Sequence, residues 1–222
     1  MPKLERDGEV FVLHLDADDE NRFHPDRLSA LEALLDEVEA AEGPRALVTA
    51  GSGKFWCTGL DLDWLFAHGD QYAPYLERVH ALLARTLASP VVTVAALNGH
   101  TFAAGAMWAL AHDFRVMRAD RGFFCLPEVD LDLPFQTGMS DLVRARLTPQ
   151  TAHEAMTTGH RYGGEQALAA AVVDATAGAD ELLAAAVELA RPLAAKSKPV
   201  RGRIKETLYR ETLAALRAPV TD

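Results

Sequence analysis

The chain has 222 residues, 49% of them hydrophobic and 24% charged, the make-up of an ordinary globular protein with one large domain. Its net charge of −10 argues against nucleic acid as a partner. The charged N-terminus and the lack of any apolar run near the ~20 residues needed to span a bilayer make a cytoplasmic, non-membrane protein the expectation.

In chain order, residues 10–15 (VFVLHL) read as a strand, followed by a polar loop over 17–25. Leu28, Leu31, Leu34, Leu35 and Val38 recur at helical spacing, which predicts a helix over 26–42. Gly43-Pro44 stops it, and 45–50 is a second strand. The turn GSGKFWCTG leads into a short helix near 61–67, and a longer helix follows over 72–87. Residues 91–96 (VVTVAA) form a continuous apolar strand of the buried parallel type. After Asn98-Gly99 come an alanine-rich helix, 103–111, and a strand, 114–118. From about Pro134 onward the pattern is almost wholly helical, with no internal repeat. This alternation indicates an α/β layered domain, with a core over 1–140 and a C-terminal helical region over 141–222.

Several chemistries are excluded by their missing signatures. GSGKF is not a phosphate loop, because Val48 stands where that motif needs Gly and Phe55 where it needs Ser or Thr. No G-x-G-x-x-G opens a helix, and Ser140 lies in GMSDL rather than in a G-x-S-x-G elbow. Cys57 and Cys125 have neither disulfide-framework nor metal spacing and read as small buried hydrophobes, and the histidines include no H-x-x-x-H pair. No metal is expected. His100 and His112 flank the alanine-rich helix, either as half-buried structural histidines or as lining of a site. Residues 196–210 hold six basic residues (Lys196, Lys198, Arg201, Arg203, Lys205, Arg210) against one acid, Glu206. They read equally as a solvated helix face or as a contact for a small polyanion.

Three segments share a physical logic: KFWCTGLDL (54–62), LNGHTFAAGAM (97–107) and FFCLPEVDL (123–131). In the first two, small residues at a turn into a helix let backbone N–H groups face a ligand, where the helix dipole favours negative charge. The third is an apolar strand ending in a carboxylate, whose pKa apolar surroundings would raise. Enolate chemistry on a thioester needs those two parts, a base at the α-carbon and a clamp on the carbonyl oxygen.

FWCTGLDL, PVVTVAALNGHTFAAGAMWALAHDFRV, FFCLPEVDL and RYGGEQALAAAVVD, in that order, resemble the paired signatures of the crotonase (enoyl-CoA hydratase/isomerase) family over residues 8–190. The resemblance implies a crotonase-like ββα spiral and an acyl thioester of coenzyme A as substrate. It implies no prosthetic cofactor, and a homotrimer or hexamer built through the C-terminal region. It places oxyanion donors at the backbone N–H groups of Leu60 and Ala104, the general base at Glu128, and coenzyme A contacts at Cys57, Gly59 and Asp61. Ala103-Ala104-Gly105 departs from the usual G-G-G, which Ala104 tolerates if its φ is negative. Hydratases of the family carry a further glutamate where this chain has Met107, so the resemblance is closest to the Δ3,Δ2-enoyl-CoA isomerases. Hydratase, dehalogenase or decarboxylase chemistry, or a non-catalytic acyl-CoA-binding role, are the alternatives. Gln136 and Met107 would shape the acyl pocket. Asp130 and Asp132 would share a face with Glu128 if the segment were extended, or face solvent. Asp132 replaces a frequent glycine, which leaves the geometry of the following turn open.

Overall fold

The computed structural model describes residues 1–15 and 20–220; positions 17–19 of the loop expected over 17–25 and the last two residues of the C-terminal region lie outside it. A six-stranded sheet runs in the order β1 (Lys3–Asp7), β2 (Val10–His14), β3 (Ala46–Ala50), β5 (Val92–Leu97), β7 (Phe114–Arg118), β9 (Ala175–Ala177). Only the β1–β2 pair is antiparallel. A second sheet of three short parallel strands comprises β4 (Phe55–Cys57), β6 (His100–Phe102) and β8 (Phe124–Cys125).

The apolar runs of the large sheet follow from its being covered on both faces. Phe11, Leu13, Leu47, Ala95, Leu97 and Met117 point into the larger core. That core is closed by α1 (Pro25–Ala40), α3 (Tyr72–Ala88), α4 (Ala103–Ala111), α5 (Thr137–Arg146) and α10 (Arg210–Leu216), with Trp56 and Trp108 at its centre, 5.1 Å apart. The alternate residues Val10, Val12, Ala46, Val48, Val92, Val94 and Val116 pack against Leu182, Ala186 and Ala190 of α8 (Leu182–Ala190). The remaining helices are α2 (Leu62–Ala67), α6 (Pro149–Thr158), α7 (Gly164–Ala169) and α9 (Pro199–Leu208).

Three times the chain gives one strand to the large sheet, the next to the small sheet, and then turns into helix. The units are β3–β4–α2/α3, β5–β6–α4 and β7–β8–α5. This is the expected ββα spiral, and it is a repeat of topology with no repeat of sequence. The functional consequence is geometric. The parallel strands β4, β6 and β8 end side by side, so the turns that follow them meet at one edge of the small sheet.

The predicted helices and strands stand within a few residues of their expected bounds. Four strands depart from the reading: β4 lies within the run read as a turn and β6 in the stretch between Asn98-Gly99 and the alanine-rich helix, and β1 and β9 are the other two. β1 is mostly exposed and mostly charged (KLERD), so its sequence carries no apolar alternation, and only pairing with β2 makes it a strand. β9 is three small residues inside the region read as helical, held by β7. Among the described residues no helix is long and apolar enough to cross a membrane.

The basic 196–210 segment divides. Arg201 and Lys205, on α9, reach the Asp113 carboxylate at 2.7 and 2.9 Å. The Thr93 amide and hydroxyl donate to the same carboxylate, and Arg201 also donates to the Ser89 and Val91 carbonyls. Those two cations fasten α9 to the sheet and are not free for a polyanion. Burial alone would raise the Asp113 pKa, but the Lys205 and Arg201 charges outweigh it and hold it below the usual range. The stability this adds is present above the ordinary aspartate pKa and is lost as pH falls through the lowered one. Asp113→Ala leaves two largely buried cations uncompensated, so we expect a loss of about 3–5 kcal/mol. Thermal melts at neutral pH check this, with a midpoint drop on the order of 10 °C as the expected outcome.

Candidate active site

The turn after β4, the start of α4 after β6, and the 3-10 turn Pro127–Val129 after β8 open onto one cleft of about 870 Å³. Leu60, Ala104, Met107, Glu128 and Gln136 all line it, so five of the residues expected from the sequence converge. The rest of its wall is largely apolar, including Leu62, Leu65, Leu76, Phe135 and Met139.

The turn over 58–61 lies against the first residues of α4 with no side chain between them. Gly59 has φ +88°, and a Cβ placed on it would stand 2.8 Å from the Ala104 nitrogen and 2.9 Å from that of Gly105. Only glycine satisfies both the left-handed backbone and this approach. The Thr58 amide donates to the Glu20 carbonyl and the Asp61 amide to the Tyr75 hydroxyl. Among the described residues the Leu60 amide has no such acceptor. The Ala104 amide, in the first turn of α4, has none within its helix either. Ala104 is helical, as its tolerance of the usual glycine position required. The left-handed residue is its neighbour Ala103, at φ 49°.

Glu128 is 7% exposed, and its Oε2 has no hydrogen-bond partner. Burial raises its carboxyl pKa to about 7, against a small opposing pull from its own backbone N–H. Of the two readings of Asp130 and Asp132, the solvent-facing one holds. The segment coils into a 3-10 turn, so both aspartates are exposed while Glu128 points inward. Burial, not a neighbouring carboxylate, shifts the pKa. Asp132 itself adopts φ 55°, the left-handed conformation of the glycine it replaces.

Met107 is 1% exposed, one helical turn beyond Ala103, and places a thioether in the wall. A second carboxylate, Glu20, also lines the cleft, but it is paired with Arg22 at 3.3 Å and accepts from the Thr58 hydroxyl. Cys57 and Asp61 are not part of the lining. The Cys57 thiol donates to the Asn21 carbonyl, and the Asp61 carboxylate caps α2 by accepting from the Trp64 amide. Gly59 sits behind the cleft as the spacer just described. Cys125 lines the cleft with a thiol that burial pushes up to about 11. His112 is core: its ring bonds the Thr49 hydroxyl and the Trp108 carbonyl, and burial lowers its pKa to about 4.

The sequence reading missed a cationic rim. Arg161 lines the cleft with its guanidinium 6.0 Å from the Phe102 ring, and the Lys54 ammonium lies 4.9 Å from the Phe55 ring. Between them His100 packs on Phe55, Phe102 and Phe123. Burial first, and then the Lys54, Arg121 and Arg161 charges, lower its pKa. Among the described residues none of these three cations has a carboxylate partner. The signal was present in the bare Lys54 and Arg161 that open two of the singled-out segments. Among the described residues no group of three or more His, Cys, Asp or Glu is placed to hold a metal ion.

A protein-family model described as enoyl-CoA hydratase/isomerase matches residues 5–220. Enoyl-CoA delta isomerase 3 of Arabidopsis thaliana is 38% identical, over 95% of this chain and 93% of its own length. The peroxisomal enoyl-CoA delta isomerase 2 of the same plant is 36% identical, over 97% and 95%. Among solved structures, the apo enoyl-CoA isomerase of Mycobacterium tuberculosis superposes with a TM-score of 0.90 at 26% identity, covering 97% of this chain and 94% of that one. Human mitochondrial delta3-delta2-enoyl-CoA isomerase shares the fold, with a TM-score of 0.86 at 24% identity over 96% and 84%. With its signature segments gathered at one cleft and the family model spanning nearly its whole length, the chain belongs to the enoyl-CoA hydratase/isomerase (crotonase) family.

Proposed function

We propose that the protein is a Δ3,Δ2-enoyl-CoA isomerase that moves one proton with one carboxylate. The observation that carries this reading is the buried Glu128 carboxyl, unpartnered at Oε2, in a cleft that Met107 lines with a thioether. Glu128 removes a proton from C2 of a 3-enoyl thioester, and the electron pair of the broken C2–H bond delocalises onto the carbonyl oxygen, giving a dienolate that keeps the C3=C4 bond. The Leu60 and Ala104 amides hold the dienolate oxygen. Glu128 then delivers its proton to C4, leaving a C2=C3 double bond. Nothing is oxidised or reduced, and no group beyond the substrate is needed. Hydration would also require an oriented water. The thioether cannot orient one, and Glu20 is engaged by Arg22 and Thr58. The names of the two plant relatives support the same reading.

The acyl chain would lie along Leu62, Leu65, Leu76 and Met139. The phosphates of coenzyme A would meet Lys54, Arg121 and Arg161, the cations at the rim that have no carboxylate partner among the described residues. Assembly as a homotrimer or hexamer belongs to the same reading, supported by Val200, Ile204 and Leu208, which are exposed at four-residue spacing along α9. A cytoplasmic location also belongs to it, beside the peroxisomal one in the name of the second plant relative.

Three tests follow. A base must be ionised to act, so kcat/KM should rise with pH and level off above about 7, and Glu128→Gln should lower kcat by about 10²-fold or more. A raised carboxyl pKa also means that ionising Glu128 opposes folding. Its contribution is fully favourable below the ordinary glutamate pKa and is lost as pH rises through about 7. Glu128→Gln should therefore melt above wild type at pH 8, by an amount on the order of 3 kcal/mol, and match it near pH 4. A variant keeping more than about a tenth of wild-type kcat would move the chemistry elsewhere.

Supplying 3-enoyl-CoA and 2-trans-enoyl-CoA in parallel separates the reaction classes. The isomerase turns over the first and hydrates the second negligibly. A binding protein turns over neither, and equal rates on both would mean that another carboxylate holds a water.

Replacing Lys54, Arg121 and Arg161 with alanine should raise KM for acyl-CoA and flatten its salt dependence, with kcat little changed. An unchanged KM at low ionic strength would remove these cations from the coenzyme A site.

A further inference from the structure

The oxyanion turn is held at three points. The Thr58 amide donates to the Glu20 carbonyl at 3.2 Å, and the Phe23 amide donates to the Gly59 carbonyl at 2.8 Å. Both partners come from the 20–23 segment. The third point comes from α3, where the Tyr75 hydroxyl accepts from the Asp61 amide at 2.8 Å. A peptide unit is planar, so fixing the Asp61 N–H also fixes the Leu60 carbonyl to which it is bonded. The bond to Tyr75 thereby restricts how the Leu60 residue, whose own amide is unpartnered, can rotate.

Tyr75 is 3% exposed and does not line the cleft. Its ring packs on Trp64 at 5.2 Å, and the Trp64 amide in turn donates to the Asp61 carboxylate, which closes a small circuit around the turn. Packing alone would accept phenylalanine at this position, and the hydroxyl's hydrogen bond is to Asp61. Burial raises the pKa of the phenol, so the group stays neutral and cannot act as a base. The helix behind it is rigidly placed, with Arg78 bound to Glu32 at 2.8 Å and Arg85 to Glu39 at 2.9 Å, both on α1.

We infer that Tyr75 is a positioning residue for catalysis: its hydroxyl locks the 58–61 turn so that the Leu60 amide faces the cleft beside that of Ala104. The inference rests on the isomerase reading, because it assigns a support to that reading's oxyanion donors. It acts on the transition state, where charge on the oxygen is greatest, more than on binding of the ground state.

The test uses Tyr75→Phe in the full chain, with two readouts. The first is steady-state isomerisation of 3-enoyl-CoA. A displacement of the donor by about 1 Å costs up to about 10²-fold, so we expect kcat to fall by roughly tenfold or more with KM within about twofold. The second is the near-ultraviolet absorbance of the enolate of bound acetoacetyl-CoA, which reports stabilisation of an oxyanion without turnover. The variant should show less enolate than wild type at the same pH. Leu213→Ala, in the core on α10, supplies a comparison: a lower melting temperature with kcat and the enolate band retained. Should Tyr75→Phe prove poorly folded, 3,5-difluorotyrosine at position 75 keeps the shape and weakens the hydroxyl as an acceptor, and its kcat should fall below wild type. A fully active Tyr75→Phe with an undiminished enolate band, made by an active wild type, overturns this inference alone. A wild type that neither isomerises 3-enoyl-CoA nor enolises the probe overturns the isomerase reading and this inference with it.

Discussion

The site depends on one close approach of backbone to backbone. The Gly59 α-carbon rests on the first amides of α4, and a side chain there would collide with the Ala104 nitrogen. Gly105 makes the reciprocal demand, because a Cβ on it would strike the Cys57 carbonyl. With both positions bare, β4 and β6 can pair in parallel, with one register shift between Phe55 and Cys57, and the turn after one strand comes to lie against the helix after the other. The approach brings two amides with unsatisfied donors to the same cleft. The Ala103 backbone takes a left-handed conformation at the first position of α4, at a cost of about 1–2 kcal/mol. Against that cost stands the burial of Met107 and Trp108, each 1% exposed, on the helix it introduces.

Most of this arrangement is legible in the sequence because it is local. The apolar runs at 10–15 and 91–96, the leucine spacing of α1 and the stops at Gly43-Pro44 and Ser89-Pro90 each act within a few residues. The helices and inner strands are therefore readable one at a time. β1 and β9 are not, since a charged edge strand and a three-residue alanine–threonine strand exist only through their neighbours. The threefold ββα spiral is legible only through the family resemblance and not from local pattern, for a related reason. It is carried by which sheet each strand joins, and β4, β6 and β8 are too short to show a period.

The candidate site was legible to the same degree. Turn glycines, an alanine-rich helix start and a carboxylate after an apolar strand mark the three segments, and the family resemblance they carry implies Leu60, Ala104 and Glu128 within them. What the pattern cannot give is what each polar group is already bonded to. Asp61 sits inside a signature segment, yet its carboxylate is a helix cap. Arg201 and Lys205 look like a polyanion seat until Asp113 is found beneath them. Tyr75 belongs to no motif, because its partner lies across the fold and only its hydroxyl distinguishes it from an ordinary core ring.

The spiral also explains why family membership leaves the reaction to a few side chains. Each turn of the spiral delivers one functional element to the cleft: a loop amide after β4, a helix amide after β6 and a carboxylate after β8. The two amides are main-chain groups, so the oxyanion clamp proposed for them would survive nearly any substitution that preserves the close approach. The carboxylate and the side chain at 107 are free to vary without disturbing the frame, and they decide what the clamp is used for. In this chain Met107 adds a thioether to a largely apolar wall, and burial of Glu128 raises its pKa to about 7. Apolar surroundings that make ionised Glu128 costly in the folded protein also make it a stronger base once the proton is lost. A base near 7 can both take a proton from C2 and return it to C4, whereas an exposed glutamate near its ordinary pKa would be the weaker acceptor. Instability of the charged form and the two-way proton transfer proposed for Glu128 would thus both follow from the same buried environment.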